Sequence, residues 1–237
     1  MNLWRREGLT IVVGHRGAAA VAPENTLAAL QAALHAGAQL VEFDIGPDLQ
    51  LAHSHREVPE DRLSLDEALE FLATHEIGVH LDLKLPGYEQ DVVDAITRHA
   101  LGERAIVSTA FARSSRLLAV IAPSLPRAIG YPRDSLGVAR FAWPAGLTRA
   151  GATALRQAMP IRVPLLIRVA RATVLSLHHT LCSRPAVQIA HRMGVPVLGW
   201  TANDPAAVRR LSLIGVDGIV SDDPEMALKT LATLAGP

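Results

Sequence analysis

A chain of 237 residues, 49% hydrophobic and 19% charged, can bury the core of one large α/β domain or two small ones. Its formal net charge of zero gives no support for a nucleic-acid partner. The single cysteine, Cys182, excludes an internal disulfide and fits a reducing, cytoplasmic compartment. The first residues lack a signal-peptide pattern, and no apolar run suits a membrane-spanning helix, so we expect neither.

Strand-like and helix-like segments alternate along the whole sequence. In chain order the predicted elements are strand 11–15, helix 26–35, strand 40–45, helix 64–75, strand 79–84, helix 91–99, strand 105–110, helix 113–121, strand 127–131, strand 173–179, helix 184–194, strand 195–201, helix 205–215, strand 217–221 and helix 224–234.

Capping residues support several of these helices. Asn25 is a plausible N-cap of the first helix, and Ser64 with Glu67 forms a capping-box pattern at the second. Asp204 precedes Pro205, which stands at the first position of the predicted helix 205–215. Residues 136–171 are less regular, because Pro144, Pro160 and Pro164 interrupt the apolar pattern. We predict several short helical pieces there.

Eight strands, nearly all followed by a helix, are typical of a (β/α)₈ TIM barrel, here a single domain over residues 1–237. An open doubly wound sheet is the main alternative. The barrel is favoured because polar residues fall at the carboxyl ends of the predicted strands, where barrels of this kind place their active sites. These residues are His15, Glu42, Asp44, Asp82, Lys84, His178 or His179, Trp200 and Asp222.

The second strand carries two carboxylates on one face. Residues i and i+2 of a strand point the same way, so Glu42 and Asp44 lie together, near the space that His15 reaches. Paired oxygen ligands beside an imidazole suit a hard divalent cation next to an acid/base group. Burying two like charges without a partner would be costly. His80 lies on the third strand, in either the core or the rim.

Six motifs occur in an informative order: H-R-G, P-E-N-T, E-x-D, L-D-L-K, W-T-A-N and G-V-D-G-I-V-S-D-D-P. Together they resemble the glycerophosphodiester phosphodiesterase family across nearly the whole chain. The resemblance implies a TIM-like barrel that hydrolyses glycerophosphodiesters, with lysophospholipids as further candidates, to glycerol phosphate and an alcohol. It also implies one divalent metal ion, calcium or magnesium.

The resemblance assigns roles to individual residues. It implies that Glu42, Asp44 and Asp82 hold the metal and that His15 and His53 form the acid/base pair. It implies that Arg16 and Lys84 contact phosphate oxygens and that Trp200 packs on the glycerol or alkyl part of the substrate. The substrate's own glycerol hydroxyl is a possible first nucleophile, which would give a cyclic phosphate that water then opens.

This sequence departs from the family pattern in three places. Asp82 stands where the family usually has Glu. The second histidine normally belongs to an H-D pair, whereas this chain reads L-A-H-S-H-R, so His55 is a rival to His53. The subdomain that commonly follows this histidine is absent, because few residues separate it from the next helix. We therefore expect a more open cavity.

Two alternatives to complete hydrolysis stay open. A phospholipase D-like lyase would stop at a cyclic phosphate. A barrel without turnover would bind phospholipid headgroups, and the replaced H-D pair is the feature that favours it.

No acidic residue occurs between Ser135 and Asn203, although arginines and apolar residues are frequent. This composition is compatible with peripheral membrane contact through residues 135–170. Ordinary outer helices with snorkelling arginines are the favoured explanation, and a homodimer interface is a further alternative.

Overall fold

Eight parallel strands close into a barrel in sequential order in the computed structural model, which describes residues 10–52, 62–132 and 145–234 (for residues 145–150, the backbone alone). The predicted barrel is confirmed, and the open doubly wound sheet is wrong because β1 pairs with β8 as well as with β2. The strands are β1 Ile11–Gly14, β2 Leu40–Ile45, β3 Gly78–Leu83, β4 Ala105–Thr109, β5 Arg127–Tyr131, β6 Val174–His178, β7 Val197–Trp200 and β8 Gly218–Ser221.

The α-helices of the described residues lie between or after these strands. They are α1 Leu27–His35, α2 Leu65–Ala73, α3 Glu89–Arg98, α4 Ala112–Ile121, α5 Ala145–Ala170, α6 Arg184–Arg192, α7 Pro205–Ile214 and α8 Pro224–Ala232. Within this part of the chain, no helix combines the length and apolar character needed to cross a membrane.

The barrel interior changes from apolar to polar along the strands. Its closed end is filled by small and branched side chains from seven strands: Ile11, Val13, Leu40, Ile106, Ala128, Val174, Leu198 and Val220. On β2, Leu40 belongs to this apolar layer, and the alternation of the strand places Glu42 and Asp44 above it on the same inward face. Val41, Phe43 and Ile45 point outward and are buried under the helices. The carboxylates therefore occupy the open end of an otherwise apolar barrel.

Helix caps follow the predictions in two of three places. Ser64 and Glu67 form the capping box of α2, and the Asp204 side chain accepts a hydrogen bond from the α7 backbone. The prediction for Asn25 was wrong, since Thr26 caps α1. The Asn25 side chain instead donates to the Asp44 carboxylate and accepts from the Asp44 backbone N–H. It is therefore not available to cap the helix.

Helix α5 contradicts the prediction of short helical pieces over residues 145–170, whereas residues 136–144 lie outside the described residues. It runs unbroken for 26 residues with Pro160 and Pro164 inside it. Each proline removes one backbone donor from the helix. The helix nevertheless buries Met159, Val163 and Ile167 against the barrel, at intervals of four residues that form one face. Tertiary packing of this apolar face outweighs the local cost of the prolines.

Candidate active site

The polar side chains meet in a cavity of about 310 Å³ at the carboxyl ends of the strands. That volume lies at the lower end of the range for ligand-binding pockets. Six of the residues predicted from the sequence line it: His15, Arg16, Glu42, Asp82, Lys84 and Trp200. Asp44 is completely buried beside them. His53 and its rival His55 lie outside the described residues.

Glu42, Asp44 and Asp82 each present a carboxylate oxygen within 4.8 Å of the others. The sheet brings them together, because Glu42 and Asp44 share one face of β2 and Asp44 is in register with Asp82 on β3. Oxygen ligands gathered in this way suit a hard cation such as Mg²⁺ or Ca²⁺. The donor set therefore fits one divalent metal ion.

Two cations bind this carboxylate group. The Lys84 ammonium lies 2.6 Å from Oδ2 of Asp82 and also pairs with Oδ1 of Asp44. Nε of Arg16 lies 3.0 Å from Oδ2 of Asp44, and the guanidinium also pairs with Glu24. Burial disfavours a charged Lys84, yet the surrounding carboxylates outweigh it and raise the pKa of this ammonium above its usual range. Three carboxylates thus face two cations, which leaves negative charge for a metal ion to neutralise.

Burial and a neighbouring charge both act on the carboxyl group of Glu42. Burial, followed by the neighbouring charge of Asp44, raises the pKa of Glu42 to about 7. Its Oε2 accepts a hydrogen bond of 2.8 Å from the backbone N–H of Arg16. By contrast, Lys84 outweighs burial at Asp82 and lowers the pKa of that carboxyl group, to which Ser108 donates a hydrogen bond of 2.6 Å.

His15 is held by an acidic residue whose role the sequence analysis missed. Nδ1 of His15 lies 2.5 Å from Oδ1 of Asp222, while Nε2 faces Glu42 with 3.9 Å to its Oε2. Burial lowers the pKa of His15, but the Asp222 hydrogen bond and the Glu42 charge outweigh it and raise the pKa above its ordinary value. A closed barrel could have predicted this contact from the sequence, because Asp222 directly follows β8 and His15 directly follows β1, and these two strands pair.

Two glycines shape the loop that carries His15 and Arg16. A Cβ on Gly14 would lie 2.3 Å from the carbonyl oxygen of Gly17, and one on Gly17 would lie 2.4 Å from the backbone of Ala29. Gly17 has a φ of +89°, which glycine adopts without steric cost. The tight G-H-R-G turn thereby directs the Arg16 backbone N–H at Glu42 and the imidazole into the cavity.

The other histidines of the open end differ from His15. His80 is 3% exposed, and burial lowers its pKa to about 4, so the ring is neutral near pH 7. The ring of His178 contacts that of Trp200 edge-on, with 5.2 Å between centroids. Neither of them hydrogen bonds to the carboxylate group within the described residues.

Comparison with known proteins shows the family to which this chain belongs. The sequence profile of the glycerophosphoryl diester phosphodiesterase family matches residues 15–46 and 53–226 of this chain. The chain belongs to this family. It is accordingly a phosphoric diester hydrolase, and the matched segments contain all eight residues predicted for the site.

Individual relatives of this phosphodiesterase are distant but collinear. A glycerophosphodiester phosphodiesterase from Caldanaerobacter subterraneus subsp. tengcongensis is 24% identical, over 91% of this chain and 95% of that protein. A glycerophosphodiester phosphodiesterase structure from Parabacteroides distasonis matches with a TM-score of 0.74 at 19% identity, over 95% and 98% of the two chains. A phosphodiesterase from Oleispira antarctica, solved in complex with the product sn-glycerol-3-phosphate, matches with a TM-score of 0.72 at 20% identity, over 94% and 97%. These structural likenesses establish the shared barrel.

Proposed function

We propose that this phosphodiesterase uses one divalent cation, Mg²⁺ or Ca²⁺, to hydrolyse glycerophosphodiesters to glycerol phosphate and an alcohol, or lysophospholipids to the acylated glycerol phosphate and an alcohol. The observation that carries the proposal is the cluster of three carboxylates beside one cavity, which Glu42, Asp82 and His15 line. Glu42, Asp44 and Asp82 would hold the cation. When bound, it supplies positive charge that offsets the negative charge developing on the phosphoryl oxygens.

His15 and a second histidine would move the protons. One imidazole accepts the proton of the attacking hydroxyl, and the other protonates the oxygen of the leaving alcohol. Asp222 holds His15 through Nδ1, which leaves Nε2 directed at the cavity for this exchange. His53 is our choice for the second histidine and His55 the rival, both on the segment between β2 and α2.

Arg16, Lys84 and Trp200 would bind the substrate. Arg16 and Lys84 line the cavity and form ion pairs with Asp44. Because they lie next to the proposed metal ligands, the same phosphate group could contact both side chains and the metal ion. Trp200 lines the same cavity and offers an apolar face for the glycerol or alkyl portion. The finding that the Oleispira antarctica relative binds sn-glycerol-3-phosphate supports a glycerol phosphate product here.

A substrate panel tests this function. Wild-type protein and Glu42→Gln would be assayed with glycerophosphocholine, glycerophosphoethanolamine and lysophosphatidylcholine, with EDTA and after adding back Mg²⁺ or Ca²⁺. We expect metal-dependent release of glycerol phosphate or lysophosphatidate-type products by the wild type alone. Folded, metal-loaded wild type that cleaves none of the three would contradict the proposal.

Phosphorus NMR of the products separates hydrolysis from the lyase alternative, since a cyclic phosphate that persists belongs to the lyase. Family membership and the assembled cavity favour an enzyme over a barrel that merely binds headgroups.

We further propose peripheral membrane contact on the cavity side of the barrel. Val21 and Leu85, which follow the carboxyl ends of β1 and β3, are 68% and 39% exposed. Helix α5 begins after the carboxyl end of β5, so Arg149 and Arg156 lie in its half nearer the cavity. Exposed apolar side chains near basic ones suit an anionic lipid surface. A homodimer interface is the competing proposal for the exposed apolar side chains.

We also propose a cytoplasmic location. The single cysteine, Cys182, is a buried free thiol, which suits a reducing compartment.

A further inference from the structure

His80 has hydrogen-bonding capacity that the protein leaves unused. Its side chain is 3% exposed, and neither ring nitrogen has a hydrogen-bond partner among the described residues. The large majority of buried side-chain polar atoms in proteins do have a hydrogen-bond partner, which is the protein itself or ordered water. The ring lines the proposed catalytic cavity, so a partner can enter from there.

The position of His80 makes it the floor of that cavity. On β3 it precedes Asp82 by two residues on the same inward face, which places it about 6.6 Å further down the strand. It is in register with Glu42 on β2 and with Ile106 on β4. Ile106 belongs to the apolar layer that closes the barrel. The imidazole is therefore the polar boundary between the carboxylate group and the apolar interior.

The chemistry of the imidazole limits which groups of a substrate can hydrogen bond to it. Glu42, Asp44 and Asp82 form the cluster of ligand atoms that lie within 4.8 Å of one another, and His80 is outside it. A neutral imidazole has one N–H donor and one acceptor nitrogen. A phosphate oxygen can pair only with the N–H, whereas an alcohol hydroxyl group can pair with whichever nitrogen faces the cavity, by accepting from the N–H or by donating to the other nitrogen.

We propose that His80 is a specificity-determining residue that hydrogen bonds a hydroxyl group of the glycerol moiety at the cavity floor. The inference rests on the proposed function and adds to it a reason for glycerol to be chosen over an unsubstituted alkyl chain. A site built to bond a hydroxyl group rejects an analogue that lacks it, because its polar groups are then left unpaired.

Two ligands of equal chain length test this proposal. sn-Glycerol 3-phosphate and n-propyl phosphate share three carbons and a phosphate but differ by two hydroxyl groups. Isothermal titration calorimetry with added Mg²⁺ would measure both on wild type, His80→Phe, His80→Leu, His80→Gln and the exposed control His35→Phe. We expect His80→Phe and His80→Leu to weaken glycerol phosphate binding about tenfold, the scale of one lost hydrogen bond, with propyl phosphate changed less than about twofold.

Two further variants serve as controls for the proposed role of His80. His80→Gln keeps a donor and an acceptor and should retain part of the preference, and His35→Phe should retain all of it. Equal loss of both ligands in folded His80→Phe or His80→Leu, or no loss of either, would overturn the role of His80 alone. Failure of wild type to bind either ligand would instead overturn the proposed function, and this inference with it. Thermal melting of each variant identifies those that fold.

Discussion

The Asp222 carboxylate lies directly behind His15, with Oδ1 2.5 Å from Nδ1 of the imidazole. Its other oxygen accepts a hydrogen bond from the Asn203 side chain, and its backbone N–H donates to the same amide at 3.0 Å. Asp222 is thus fixed on both sides, and it fixes the ring that faces Glu42. This arrangement orients an acid/base histidine and stabilises its charged form.

Replacing Asp222 with Asn should therefore lower turnover by about 10- to 100-fold, because the ring loses its orienting charge. The pKa of His15 should fall, since the Asp222 hydrogen bond is the largest contribution that raises it. NMR titration of the imidazole in EDTA-treated protein measures the pKa. Asp223→Asn is the matched control, because Asp223 caps α8 and Asn caps equally well. An unchanged His15 pKa in Asp222→Asn would contradict this role.

Glu42→Gln should abolish metal-dependent activity while stabilising the metal-free protein at higher pH. The pKa of Glu42 is raised to about 7 from an ordinary 4.5, so between these values the folded state binds more protons than the unfolded state. Stability from this group consequently falls as pH rises through that window. With EDTA present, the difference in the free energy of unfolding between Glu42→Gln and wild type should shift in favour of Glu42→Gln by at least about 1 kcal/mol from pH 5 to pH 8.

Denaturant unfolding at both pH values measures this difference. Added Mg²⁺ or Ca²⁺ should raise the melting temperature of wild type and leave Glu42→Gln nearly unchanged, because a ligand stabilises the state that binds it. Equal metal-induced shifts in the two proteins would remove Glu42 from the proposed metal site.

Replacing His15 with Ala should lower turnover by at least about 100-fold, the usual scale for the loss of one acid/base group. His53→Ala should do the same, whereas His55→Ala should be mild. Steady-state kinetics on glycerophosphocholine under saturating metal compares the three variants. A larger loss in His55→Ala than in His53→Ala would show that His55 is the second histidine.

The barrel and most of its site follow from local sequence rules. Alternating strands and helices predict a parallel sheet, and the polar residues at the strand ends favour its closure into a barrel. The two-residue spacing of Glu42 and Asp44 on one strand requires them to face the same side. Asp82 and Lys84 repeat the pattern on the next strand. Residues at strand ends could therefore be placed together without knowing any distance.

The parts that were missed depend on contacts distant in sequence. Asn25 bonds Asp44 instead of capping its helix, and Asp222 meets His15 only because the barrel closes. Pro160 and Pro164 read locally as breaks, but the buried side of α5 compensates for them. The unused nitrogens of His80 become visible only when all its neighbours are known.

Gly14→Ala should destabilise the fold and the site together. Its Cβ would lie 2.3 Å from the Gly17 carbonyl oxygen and 2.9 Å from the Ala33 side chain, so the H-R-G turn would have to move. Overpacking against backbone predicts a loss of at least about 2 kcal/mol in the free energy of unfolding. Gly102→Ala is the control, because nothing lies within 4 Å of its added Cβ. Matching melting curves for the two variants would refute the steric requirement.

Peripheral membrane contact predicts binding to vesicles that contain phosphatidylglycerol, weakening as ionic strength rises. Arg149→Glu with Arg156→Glu should reduce binding severalfold, since both positions lie in the half of α5 nearer the cavity. The control pair Arg98→Glu and Arg192→Glu makes the same change in net charge at exposed positions on α3 and α6. Co-sedimentation measures all three proteins.

The control separates a directed surface from a general charge effect, because total charge alone would weaken both double variants equally. Ile161, Leu165 and Val169 provide the contrast on the second half of α5, where they are 84%, 64% and 47% exposed and further from the cavity. If Ile161→Gln with Leu165→Gln lowers the mass measured by sedimentation and leaves vesicle binding intact, that apolar stripe joins two copies of the chain. Equal affinity of wild type for anionic and neutral vesicles at low salt would contradict the membrane proposal, because arginines that bind lipid electrostatically favour a surface of net negative charge.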